Sequence, residues 1–269
     1  MSLASNFGRD FVVAAPTEIP RGWRPRHFDL PAWGEVLTSR HRDVRGRAMK
    51  IFFDVDGVLI DGWHGRPERR KRWDISLQED LGVDPVALQQ VFFCTPTGQF
   101  PSLMHACVAG ERDLREALAG ALPLLGYKGT VEAFVAYWFA KDSNVNRELL
   151  ELVKRLSRHP EAELYIVTGQ EHYRADHLWN ALGFREHFRD ILYSARVGQL
   201  KGTASFFAAI NTMLAISPAD RPLFFDDQED VVNLARRAGW DACVFEDVTT
   251  VLTHPRLQDL VHSWQHFAP

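Results

Sequence analysis

The sequence predicts an α/β fold: a Rossmann-like parallel sheet of five strands with helices on both faces, and a helical domain inserted after the first strand. Three observations predict it. First, five short runs are apolar at nearly every residue, as strands covered on both faces must be: "KIFFDV" (50–55), "ELYIVT" (163–168), "DILYSA" (190–195), "PLFFD" (222–226) and "ACVFE" (242–246). Second, amphipathic helical segments alternate with them, such as "RELLELVKRLSRH" (147–159) and "EDVVNLARRAG" (229–239), the latter closing at Gly239. Third, more than a hundred residues separate the first two runs, where a simple crossover needs about 30.

The remaining elements follow in chain order. Residues 1–48 hold eight arginines against five acids, a net charge of +3 that leaves −7 for the rest of the chain. Pro16, Pro20, Pro25 and Pro31 break this segment, which reads as a surface-lying or disordered extension. Met49 immediately precedes the first strand, so a later translation start is left open. Residues 75–141 carry mostly helical signals, broken at Gly82, Pro101, Gly110 and Gly126. The C-terminal "LQDLVHSWQHFAP" reads as a packing helix or strap.

Composition excludes several classes. With 46 % apolar and 25 % charged residues in 269, the chain has ample material for a core. The longest strongly apolar stretch, "FVAYWFA" (134–140), is far shorter than the roughly 20 residues a membrane span needs, and no signal-peptide core is seen. A cytoplasmic protein is expected, with no membrane partner. A net charge of −4 gives no basic face for nucleic acid. Cys94, Cys107 and Cys243 are widely spaced and odd in number, which fits reduced core thiols.

In an open parallel sheet, ligands bind beyond the carboxyl ends of the strands. Asp54 ends the first strand there, ionised at neutral pH and able to act as a nucleophile. Asp56 lies two residues on, placed to protonate a leaving oxygen, and Gly57 lets the backbone bend to present N–H groups to an anion. Thr168 and Gly169 end the second strand, Lys201 follows the third, and Asp226 and Asp227 end the fourth. Acids so clustered repel unless a hard cation such as Mg²⁺ takes their oxygens. Nucleophile, hydroxyl, lysine and metal-binding acids together describe a phosphoryl-transfer site.

These residues resemble the haloacid dehalogenase-like hydrolase superfamily over roughly residues 50–250, with "DVDGVL", Thr168, Lys201 and "FFDD" matching its four motifs in order. The resemblance implies a helical first-type cap at 65–144, a core at 49–64 and 145–252, and a tail at 253–269. It implies an aspartyl-phosphate mechanism: Asp54 attacks phosphorus, Asp56 acts as acid and then base, and Thr168 and Lys201, with Gly57 and Gly169, hold the phosphate. Mg²⁺ would be bound by Asp54, the Asp56 main-chain carbonyl and Asp227, with Asp226 and Asp230 in its outer sphere. A second aspartate at position 56 marks a phosphatase or phosphotransferase, because members that cleave carbon–halogen bonds lack it. The expected partner is a small phosphorylated metabolite. A mutase and a catalytically weak phospho-ligand binder are the alternatives, and oligomeric state is not readable.

Two departures stand out. Gly202 follows Lys201 where the family commonly has proline, and Val231 occupies the place of an acid four residues beyond Asp227. The register of "DDQEDVVNLARRAGW" favours Asp227 over Asp226 as the metal ligand. Among residues near the site, Arg66, Arg69 and Arg70 in "HGRPERRKRW" read first as a solvated face and second as anion contacts. His64, His105, Glu111 and Arg112 carry no individual assignment. Trp63, Trp73, Phe92, Phe93 and Phe100 read as core or hinge aromatics. Gln170 reads equally as a phosphate contact or a helix-start residue.

Overall fold

A computed structural model describes residues 48–61, 72–94, 102–258 and 260, and within them the five runs form one parallel sheet. β1 spans Met49–Phe53, β2 Ala162–Thr168, β3 Asp190–Tyr193, β4 Leu223–Asp226 and β5 Asp241–Val244. Their spatial order is β3-β2-β1-β4-β5. The chain steps outward from β1 through β2 to β3, then returns to the other side of β1 for β4. That reversal is the topological switch point of the sheet. The registers Phe53↔Ile166 and Phe53↔Phe225 bring the carboxyl ends of β1, β2 and β4 close to level there.

Successive strand residues face opposite sides, so each run feeds two cores. Ile51, Phe53, Ile166 and Phe225 pack with Leu149 and Val153 of the helix Arg147–Leu156. Phe52, Val167, Leu192 and Phe224 pack with Phe206 and Phe207 of the helix Ala204–Met213 and Val232 of the helix Glu229–Arg237. Both faces are thus covered, which is why the strands lack polar alternation. Two strands end earlier than their sequences suggest. "DILYSA" leaves the sheet after Tyr193 because Ser194–Val197 forms a helical turn, and β5 stops at Val244.

Between β1 and the helix Arg147–Leu156 the described residues include the α-helices Leu77–Leu81, Pro85–Leu88, Leu103–Val108, Leu114–Ala121 and Val131–Lys141 and the π-helical turn Gln89–Phe93. They bury an apolar cluster of their own, built on Leu77, Phe92, Leu118, Phe134 and Trp138. Asp113 and Thr130 accept N–H groups at two of the helix starts, filling positions the helices themselves cannot satisfy. The insertion leaves and rejoins the core through paired backbones. Ile60 bridges Val145 antiparallel, Asp61 donates to Asn144 O at 2.8 Å, and Asn146 donates to Leu59 O at 2.9 Å.

Trp73 and Phe93 pack against the insertion's cluster, while His105, Glu111 and Arg112 are exposed. Of the three thiols Cys107 is buried but Cys94 is exposed, so the expectation of core thiols fails at Cys94, where a π-helical turn ends at the surface. Residues 1–47, Trp63, His64, Arg66, Arg69, Arg70, Phe100 and Pro101 lie outside the described residues. Among the described residues no helix is long and apolar enough to cross a membrane.

Candidate active site

Asp54 continues directly from β1, its N–H donating to Phe225 O at 3.0 Å, and this places it beside the end of β4. The chain then folds into a tight loop in which Ile60 donates to Val55 O at 2.8 Å and Gly57 donates to Ile60 O at 2.9 Å. Gly57 therefore spends its own N–H within the loop. Its contribution is conformational. Gly57 has φ of 86°, and a Cβ there would lie 2.1 Å from Asp227 Oδ2.

Lys201 is the cation of the cluster. Its Nζ lies 2.6 Å from Asp54 Oδ1 and 2.6 Å from Asp226 Oδ2, with all three side chains buried. The turn that aims it is held by hydrogen bonds. Ser194 Oγ accepts from Lys201 N at 3.0 Å, and Leu200 O accepts from Thr203 N at 3.0 Å and from Thr203 Oγ1 at 2.6 Å. Gly202 thus follows the lysine without leaving the turn unanchored.

Asp226 and Asp227 separate by their partners. Asp226 is fully buried, with Oδ1 accepting from Gln228 N at 2.9 Å and Oδ2 against Lys201. Both Asp227 carboxylate oxygens are buried without a hydrogen-bond partner. Oxygens of Asp54, Asp226 and Asp227 come within 4.8 Å of one another. Asp230 does not join them. It is exposed in the first turn of the helix Glu229–Arg237, because the phase of that helix turns Val231 into the core instead.

The electrostatics of the cluster are unbalanced. Burial pushes the Asp54 carboxyl up, Lys201 opposes it, and Asp226 and Asp56 add to the rise. Asp227 is pushed up to about 6 by burial, with Asp226 reinforcing and Lys201 opposing. Desolvation acts against the Lys201 ammonium, but Asp54 and Asp226 hold its proton more tightly than usual. One ammonium for four neighbouring carboxylates leaves room for more positive charge.

Thr168 ends β2 fully buried, its Oγ1 without a hydrogen-bond partner. Two residues on, Gln170 Nε2 donates to Asp56 Oδ2 at 2.5 Å. Glu171 then caps the helix His172–Asp176, accepting from Tyr173 N at 2.7 Å and Arg174 N at 2.5 Å. Arg174 is buried and reaches the far end of the insertion. Its guanidinium donates to the Asp142 carbonyl, to Phe139 O at 3.4 Å and to Ser143 Oγ at 3.3 Å. Asp142 stands between the two parts, its carboxyl pushed up to about 6 by burial, against Arg174 and with Asp56 adding to the rise. Arg174 and Asp142 carried no sequence signal, since a lone arginine and a lone aspartate acquire meaning only from what the fold sets beside them.

A parallel sheet whose switch point gathers a buried lysine and several carboxylates defines the class as a doubly covered α/β protein with an acid-rich site. No family model and no curated protein matches the sequence. Solved structures do match. A haloacid dehalogenase family enzyme from Bacteroides thetaiotaomicron, solved with magnesium and inorganic phosphate, is similar at 17 % identity and a TM-score of 0.59, over 76 % of this chain and 98 % of that one. A predicted haloacid dehalogenase-like hydrolase from Porphyromonas gingivalis is similar at 18 % identity and a TM-score of 0.58, over 79 % and 98 %. The chain therefore has the haloacid dehalogenase-like fold.

Proposed function

We propose that the protein is a Mg²⁺-dependent phosphatase that hydrolyses a small phosphorylated metabolite through an aspartyl-phosphate intermediate. The observation that carries this reading is the division of labour around Asp54: one buried lysine holds it, while both oxygens of Asp227 stand buried and unpartnered across from it. Such orphaned carboxylate oxygens cost free energy unless a cation takes them. Asp54, Asp227 and the Asp56 main-chain carbonyl, which accepts no hydrogen bond among the described residues, fit a hard, oxygen-seeking divalent ion. Magnesium bound there supplies positive charge against the nucleophile and the phosphoryl oxygens.

The residues of the chain divide the remaining work. Lys201 and Thr168 hold phosphoryl oxygens, with Gly169 allowing close backbone approach beside them. An Asp54 carboxylate oxygen forms the new bond to phosphorus, the bond from phosphorus to the leaving oxygen breaks, and Asp56 gives that oxygen its proton. Water then attacks the phosphorus of the aspartyl phosphate and returns a proton to Asp56, releasing phosphate and regenerating Asp54. Asp56 favours phosphate ester chemistry over dehalogenation, which expels halide and needs no proton donor. In the same reading residues 65–144 act as the cap that selects the substrate, on a core of 49–64 and 145–252.

The test is a screen of phosphomonoesters for phosphate release with and without Mg²⁺, coupled to rapid-quench trapping of an acid-stable, hydroxylamine-sensitive phosphoenzyme. Turnover is expected in the wild type and none above background in Asp54→Asn. Labelled phosphoenzyme in Asp54→Asn removes Asp54 as nucleophile. Absence of release from every ester, with phosphate passing instead to a sugar hydroxyl, makes the protein a phosphotransferase.

A further inference from the structure

Gln170 is buried to within 6 % of its surface and stands beside the acid-base residue of the proposed mechanism. Its backbone is fixed from both sides. Its carbonyl accepts from Ala195 N at 3.2 Å, and the next residue, Glu171, is the cap of the following helix. From this fixed backbone the side chain extends to Asp56, whose Oδ2 it meets at 2.5 Å.

The chemistry of this contact is directional. An amide nitrogen only donates, and Oδ2 of a carboxyl group accepts whether the group is ionised or carries its proton on the other oxygen. The hydrogen bond therefore survives both states of Asp56. We propose that Gln170 is a positioning residue for proton transfer: it holds Asp56 Oδ2 throughout the cycle, so that Oδ1 alone gives the proton to the leaving oxygen and takes it back from water. Atoms balance within the cycle already described. The P–O bond breaks as the Oδ1 proton passes to the leaving oxygen, and the attacking water restores that proton when the aspartyl phosphate is hydrolysed. Without Gln170 no side-chain hydrogen bond among the described residues fixes which Asp56 oxygen faces the substrate.

This inference rests on the phosphatase reading, and its test separates the two. Gln170→Leu removes the donor at similar volume. Its turnover of an alkyl phosphate is expected to fall about 10- to 100-fold, the range of a charge-assisted hydrogen bond. Loss on an aryl phosphate should be several-fold smaller, because a good leaving group needs less protonation, and KM and the melting temperature should stay near wild type. Equal losses on both esters in the single-turnover rate of phosphoenzyme formation, or a loss confined to KM, overturn the proposal and make Gln170 a phosphate contact. A collapsed melt in Gln170→Leu passes the decision to a second measurement, the side-chain amide proton shift of Gln170 in ¹⁵N-glutamine-labelled protein. A downfield, slowly exchanging proton that moves upfield in Asp56→Ala supports the contact, and a free-glutamine shift in the wild type overturns it. That spectrum needs no turnover, so it decides Gln170 even where the wild type hydrolyses nothing and the phosphatase reading itself has failed.

Discussion

Replacing Gly57 with alanine tests the site through one methyl group. Two separate penalties arise. The backbone at φ 86° is left-handed, which costs an L-residue about 1–2 kcal/mol. The added Cβ also meets Asp227 at 2.1 Å from Oδ2, 2.5 Å from Cγ and 3.1 Å from Cβ, so the carboxylate must leave its place. Gly126 supplies the control, because its φ is 76° and a Cβ there meets nothing within 4 Å. At about 2–4 °C per kcal/mol for a unit of this size, the strain alone lowers either variant by roughly 2–8 °C. Only Gly57→Ala should also disturb metal dependence, raising the Mg²⁺ concentration for half-maximal turnover by about 10- to 100-fold, as loss of orientation at a metal ligand does. The assays are thermal melts with and without Mg²⁺ and Mg²⁺ titrations of phosphate release. Equal melts and an unchanged Mg²⁺ requirement in both variants would refute the placement of Asp227 against Gly57.

Four further outcomes follow from particular side chains. Asp227→Ala should need far more Mg²⁺ yet melt at or above wild type in metal-free buffer, because it removes a buried carboxylate that lacks a partner. Asp226→Ala should melt lower, since it takes one of Lys201's two carboxylate partners and the acceptor of Gln228 N; metal titration and melting of the pair distinguish them, and the reverse pattern reverses the assignment. Arg174→Leu removes the side-chain donor to the Asp142 carbonyl and one of two side-chain donors to Phe139 O, the other being Ser143 Oγ, and a loss of about 1–3 kcal/mol in denaturant unfolding is expected, against no change if the clamp is incidental. Glu171 is pushed up to about 7 by burial, above its unfolded value near 4.5. Its protonated form is favoured in the folded state, so its contribution is fully present below pH 4.5 and lost as pH rises to about 7, up to about 3 kcal/mol. Melts of the wild type should therefore fall relative to Glu171→Gln across that window, and parallel pH profiles would dismiss the shift.

The strands and the ends that carry chemistry were legible because each rests on a local pattern. An apolar run followed by an acid, as in Phe52, Phe53 and Asp54, states both burial and where burial stops. The Asp226 and Asp227 pair was read apart by its register with the following helix, and in the fold the two differ in partners: Asp226 accepts from Gln228 N, while both Asp227 oxygens lack a hydrogen bond. Asp230 was placed by spacing alone, which does not give helix phase; in the fold it is exposed while Val231 packs in the core. The role of Gln170 was divided between two readings, because a glutamine after a strand has no pattern that points to a residue 114 positions away. Arg174 was invisible for the same reason. Two of its partners are main-chain carbonyls, which every residue type supplies, and the others, Ser143 Oγ and the Asp142 carboxylate, lie more than 30 positions away.

The paired backbones at Ile60 and Val145 have an effect on how this architecture can diversify. To the sheet, everything between those two residues is a hairpin turn: the chain departs and comes back at one spot, and the ends are already fastened together. Closing a longer or shorter excursion costs little extra, since loop-closure entropy grows only with the logarithm of length. The excursion also carries its own apolar cluster, separate from the two that flank the sheet. The excursion can therefore be rewritten, lengthened or exchanged in one part of the gene while Asp54, Lys201, Asp226 and Asp227 inherit an unchanged frame.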